Sequence, residues 1–148
     1  MLSQQEANRL LDMIKQIIST ENLITFPEPG QYLTLDVQSN DETEKFIIDI
    51  NRKGSIKITK CTYQTRYKKN IPLIRIDIDG QPHTNPDGTE IPCPHIHIYR
   101  EGFGDKWAFP LEEHIATNPQ DLLMVLMDFL RYNRIENISE FDFQGGFV

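Results

Sequence analysis

The sequence predicts an α+β domain: a curved antiparallel sheet of about six strands, a meander able to close toward a barrel, with one α-helix at each end. Three observations predict it. Apolar residues recur with a helical period only near the termini, the period falls to two between residues 32 and 110, and the connections between alternating stretches are mostly short and polar. No internal repeat or linker interrupts the 148 residues, so positions 1–148 read as a single domain.

Ser3-x-x-Glu6 is a capping box, and Ala7, Leu10, Leu11, Ile14, Ile17 and Ile18 follow at amphipathic spacing, which predicts a helix from Gln4 to about Ser19. Phe26-Pro27-Glu28-Pro29-Gly30 then turns the chain. Tyr32 to Val37 and Lys45 to Ile50 alternate apolar with polar residues and read as half-buried strands. A third strand is expected from Ser55 to about Tyr67, with Ile56 and Ile58 inward. Its phase slips near Lys60, so that Cys61 and Tyr63 turn inward, as a bulge allows. Leu73 to Asp79 gives a fourth, with Ile74, Ile76 and Ile78 on one face and Arg75, Asp77 and Asp79 on the other. A polar, proline-rich loop, Gly80 to Pro94, precedes strands at His95 to Arg100 and Lys106 to Phe109. Asn118-Pro119 is a helix start, and Leu122 to Leu130 is apolar on nearly every side, as expected of a helix packed across the sheet. Phe141 to Gln144 alternates like a last short strand.

Two cysteines, Cys61 and Cys93, in no C-x-x-C pair exclude a disulfide framework and zinc-finger motifs, and they fit a reducing cytoplasm. The N-terminus lacks the basic and apolar regions of a secretory signal, and no apolar run approaches membrane length, so a membrane is not an expected partner. The net charge of −7 hides an asymmetry. Residues 52–75 carry Arg52, Lys53, Lys57, Lys60, Arg66, Lys68, Lys69 and Arg75 and no acid, so that window is +8 and the remainder −15.

The chemically specific stretch is His95-Ile96-His97. Residues two apart share a strand face, so His95, His97 and Tyr99 point one way and Ile96 and Ile98 enter the core. If the fourth and fifth strands are antiparallel neighbours, Arg75, Asp77 and Asp79 join that face. The plainest reading makes the histidines hydrogen-bonded structural residues. RNA binding, or metal-independent cleavage of RNA, is the leading functional reading. His95 and His97 would act as acid and base, with Tyr99 and Asp77 beside them and Arg75, Arg100 or Lys106 holding the phosphate. Lys57, Lys60, Arg66, Lys68, Lys69, Arg100 and Lys106 would contact the RNA backbone, near the stacking rings of Tyr63 and Tyr67. This reading needs no metal and no cofactor. Metal binding is an alternative: His95-x-His97-x-x-x-Glu101 copies the first half of the cupin signature, with His83 or Asp77 as further ligands. The second cupin half is missing, because His114 follows Glu101 too closely. Cys93, beside His95, is a weaker candidate nucleophile.

His83-Thr84-Asn85-Pro86-Asp87-Gly88 and the run from Cys93 to Ala108 resemble an uncharacterised family of small bacterial proteins, often encoded on mobile elements. The resemblance implies a toxin, antitoxin or phage-related inhibitor setting. It therefore sets a toxin-type endoribonuclease against a non-enzymatic binding module (antitoxin, immunity protein or defence inhibitor) with a protein partner, and leaves an oligomer open. Whether the chain is an enzyme at all turns on whether the histidine face is open to solvent.

Overall fold

The computed structural model describes residues 1–54 and 57–145. Along the chain run α1 (Gln4–Asp12), β1 (Lys15–Ile17), β2 (Leu23–Thr25), β3 (Tyr32–Ser39), β4 (Lys45–Asn51), β5 (Thr62–Tyr67) and β6 (Ile71–Asp77). There follow β7 (His83–Thr84), β8 (Glu90–Ile91), β9 (His95–Ile98), β10 (Ala108–Pro110), α2 (Leu122–Tyr132) and β11 (Asp142–Gln144). Seven strands form one sheet in the order β1-β3-β4-β5-β6-β9-β10, and every neighbouring pair is antiparallel. The α+β class and the helix near each terminus match the sequence reading. The sheet is open rather than barrel-like, with β1 and β10 at its edges. No helix among the described residues is long and apolar enough to cross a membrane.

The seventh strand comes from the end of the helix predicted to reach Ser19. Ser3 caps α1 as expected, its hydroxyl accepting from Glu6 N at 3.1 Å, but the helix stops at Asp12 and Met13 is already extended. From there the period of two wins: Lys15 and Ile17 turn inward, Ile14 and Ile18 outward, and β1 pairs with β3. Lys15 is 1% exposed. Its Nζ donates to the carbonyls of Leu11, Met13 and Asn133 at 3.2, 2.9 and 3.0 Å, and so satisfies the C-terminal ends of both helices with one ammonium group.

The second helix also starts later than predicted. Asn118-Pro119 forms a turn, closed by Asp121 N donating to Asn118 O, and the N-cap is Asp121, whose carboxylate accepts from Met124 N at 3.1 Å. Leu122, Val125, Leu126, Phe129 and Leu130 are buried against the sheet. There Tyr63 donates to Leu122 O at 2.6 Å and Thr65 donates to Asn133 Oδ1 at 2.6 Å, laying α2 over β5.

The predicted strand from Ser55 is shorter too. Ser55 and Ile56 lie outside the described residues, Ile58 is 55% exposed rather than inward, and β5 begins at Thr62. Arg52 explains the loop before it: its buried guanidinium donates to the carbonyls of Pro27, Ile58 and Lys60, which a strand would have used elsewhere. Cys61 and Tyr63 do point inward. The register shift falls at Thr65/Arg66 rather than near Lys60.

Two further pieces complete the fold. β11 pairs in parallel with β2, a strand the sequence pattern did not indicate. Within the Gly80 to Pro94 loop, β7 and β8 form a small hairpin. Each edge of the large sheet is closed by an asparagine amide. Asn137 accepts from Ile17 N and donates to Ile17 O, both at 2.9 Å, and Asn85 does the same to Ala108 at 2.8 and 2.9 Å.

Candidate metal centre

One face of the large sheet packs against the helices, and the opposite face is polar. On that face the register builds two cross-strand rows: Asp49, Gln64, Arg75 and His97 in one, and Asn51, Thr62, Asp77 and His95 in the other. Arg75 therefore stands directly opposite His97 and Asp77 directly opposite His95. The sequence reading of a shared His, Asp and Arg face holds for these four residues. Asp79 leaves the group to accept from Thr59 at 2.9 Å. Tyr99 also leaves it: beyond the end of β9 it is buried in the main core, with its hydroxyl donating to Leu2 O at 2.6 Å.

Both histidines are covered, with side chains 3% and 1% exposed. The cover is the β7–β8 hairpin, whose His83 ring meets His97 edge-on at 4.6 Å between centroids. Asn85 pins that hairpin to β10, and His83 Nε2 donates to Lys106 O at 2.7 Å. Access from solvent is left at the side of Asp77, Arg75 and Asp105, whose side chains are 21%, 29% and 31% exposed.

The hydrogen bonds fix the imidazole tautomers. His97 Nδ1 lies 2.8 Å from Asp105 O and His95 Nδ1 lies 3.1 Å from Ile91 O. A carbonyl only accepts, so both Nδ1 atoms carry the proton and a neutral ring presents a bare lone pair at Nε2. Those Nε2 atoms sit 3.0 Å (His95) and 3.2 Å (His97) from the same oxygen, Asp77 Oδ2. Three acceptor atoms thus converge, all within 4.8 Å of one another. Such a cluster is stable only with a cation in it: a proton on a ring, an arginine, or a metal ion. In this arrangement Arg75 supplies part of that charge, with NH2 2.9 Å from His97 Nε2, Nε 3.3 Å from Asp77 Oδ2 and NH1 3.0 Å from Asp105 Oδ2.

Burial acts to raise the Asp77 carboxyl, but the two imidazoles, which donate to it when protonated, and the charge of Arg75 outweigh it and hold it well below the usual carboxylate range. Its stabilising contribution is therefore present above the unfolded value of about 3.9 and is lost as acid protonates it. The apo protein should lose thermal stability as pH falls below about 4, and Asp77→Asn should lose less over that interval. Parallel melting curves for the two proteins would show no mark of Asp77. The Cys93 thiol is pushed up to about 11 by burial and by the nearby Asp77 and Asp79 carboxylates, which leaves it protonated and a poor nucleophile at neutral pH.

The other predicted contacts are dispersed. Glu101, third in the cupin-like spacing, accepts from Gln4 N at 2.7 Å and is not part of the centre. Arg100 stacks over Trp107 at 4.7 Å, and Lys106 reaches the site only through its carbonyl. Within the basic window, Arg52 is buried on carbonyls, Arg66 is paired with Asp49 at 2.6 Å, and Lys57 lies 3.8 Å from Asp79. Lys60 precedes β5 while Lys68 and Lys69 follow it, at the far end of a six-residue strand. The window is +8 in sequence and is divided between the two ends of β5 in space. Sequence reasoning missed Asp105 and the carbonyls of Ile91 and Lys106, because backbone acceptors leave no signature in residue type.

No curated protein and no solved structure matches the chain. One family does, over a span that includes every residue of the centre. By that match, across residues 2–135, the chain belongs to the family of unknown function DUF6978.

Proposed function

We propose that the protein binds a divalent transition metal ion of the zinc class through His95 Nε2, His97 Nε2 and Asp77 Oδ2. The observation that carries the reading is the pair of Nδ1–H groups donating to Asp105 O and Ile91 O. Histidine ligands of metals use their second nitrogen in this way, which aims the other lone pair and raises its basicity. The spacing agrees. Two ligands bound at about 2.0–2.2 Å with bond angles near 90–110° stand about 2.8–3.6 Å apart, and each imidazole is 3.0 or 3.2 Å from the carboxylate oxygen. Two histidines and one carboxylate leave at least one coordination position open, on the side where Asp77 and Arg75 meet solvent.

Metal-independent RNA cleavage draws less support, since the histidines are covered and the basic window is divided. A toxin-pair or inhibitor role with a protein partner has no contact here that favours it. The test is titration of chelator-stripped protein with zinc. One equivalent should bind, and free zinc at about a hundred times its Kd should stabilise the fold by about 2.7 kcal/mol, readable as a rise in Tm. Uptake below a tenth of an equivalent, with no change in Tm, sinks the proposal.

A further inference from the structure

The structure assigns a second ligand to this centre: we infer that, once metal is bound, it takes an oxyanion, a phosphate or carboxylate group, between the ion and the Arg75 guanidinium. The inference rests on the metal reading above and adds a binding order to it. His97 Nδ1 is committed to Asp105 O, so His97 has a single lone pair left, on Nε2, and Arg75 NH2 occupies it at 2.9 Å. One lone pair cannot serve a guanidinium and a metal ion together. Loading the ion therefore displaces Arg75 NH2 from His97 Nε2.

Arg75 is not released altogether. Its NH1 remains held by Asp105 Oδ2 at 3.0 Å, so the guanidinium stays beside the centre with an NH2 group that has lost its acceptor. Formal charges then count +2 for the ion and +1 for Arg75 against −1 each for Asp77 and Asp105, with neutral imidazoles, leaving +1 on the solvent side. An ion with an open position, next to an arginine fork with free N–H groups, is the arrangement that recognises an oxyanion. Gln64, opposite Arg75 on β5, adds a side-chain amide that has no hydrogen-bond partner among the described residues. Beyond it the polar face opens into a trough of about 440 Å³ lined by Tyr32, Thr34, Asp49, Asn51, Thr62 and Gln64. That space suits the body of a polar ester or acid whose anionic end reaches the ion.

Calorimetric titration of stripped and zinc-loaded protein with inorganic phosphate, and separately with acetate, tests the inference. Anion binding should need zinc, and the tighter of the two arms identifies the anionic group. Arg75→Gln should take up zinc at least as tightly as wild type, because a competitor for His97 is gone. The same variant should bind the anion about tenfold or more weakly, the value of a charge-assisted hydrogen bond. These opposite shifts are not what loss of a structural ion pair produces. Equal anion affinity in zinc-loaded wild type and Arg75→Gln, or equal affinity with and without zinc, overturns the inference and leaves the metal site standing. No zinc uptake by either protein overturns both.

Discussion

Asp77→Ala is expected to abolish metal uptake and to destabilise the metal-free protein by about 3–5 kcal/mol, the usual result of removing one partner from a buried charge cluster. Asp77 accepts from Arg75, from His95 or His97 whenever that ring is protonated, and through its other oxygen from Thr62 at 3.1 Å. Arg75 keeps Asp105 as a partner, but the two imidazoles, buried to within 3% of full cover, have no second carboxylate. At roughly 2–4 °C per kcal/mol for a chain of this size, the melting point should drop by about 10 °C. His114→Ala is the matched control: His114 is exposed and stacks only on Phe109, so its loss should cost within about 0.5 kcal/mol. An Asp77→Ala protein that melts with wild type and still binds zinc would show that the three acceptors do not act together.

The second large effect is expected at Lys15. Lys15→Met keeps the volume and removes the donors, leaving the Leu11, Met13 and Asn133 carbonyls at the ends of α1 and α2 without their shared partner. An unsatisfied buried acceptor costs about 1–3 kcal/mol, so a loss of about 3 kcal/mol is expected in chemical denaturation at neutral pH. The pH dependence gives an independent readout. Burial, with a smaller push from Arg134, brings the Lys15 ammonium down to about 8, against the opposing charge of Asp12. Between about 8 and the unfolded value of about 10.4 the unfolded chain binds more protons, so wild type should gain stability as pH rises through that window. Lys15→Met should lack this gain, and an identical alkaline profile in both proteins would contradict the assignment.

Much of the centre is legible in the sequence because strands are periodic. Alternation alone places His95 and His97 on one face, and it places Arg75 and Asp77 on the corresponding face of the fourth strand. Antiparallel pairing then brings the four together. Tyr99 follows the same rule in sequence but not in space, since β9 ends at Ile98 and alternation stops with it. The first helix is shorter than its pattern for a related reason: Ile14, Ile17 and Ile18 fit a helical stripe, yet free strand positions on β3 and a carbonyl-rich site for Lys15 favour the extended chain. The charge of residues 52–75 misleads because a sum along the chain ignores partners. Arg52 and Arg66 are committed to carbonyls and to Asp49. The hairpin over the histidines is held by a side-chain-to-backbone contact from Asn85, which no periodicity reports.

The asparagines at the sheet edges also bear on how copies of this chain can meet. A bare edge strand is a template: its unpaired N–H and C=O groups invite a strand from another molecule, and continued addition leads to fibres. Here Asn137 and Asn85 each occupy one outward-facing peptide position with a matching amide, a counterfeit strand one residue long. Self-association by sheet extension is thereby discouraged on both flanks. At the β10 flank the same amide pins the hairpin that covers the histidines. Protection of that edge and the cover over the histidines therefore share one side chain, with His83 on Lys106 O as the second tie of the hairpin, and a change at Asn85 would loosen both at once.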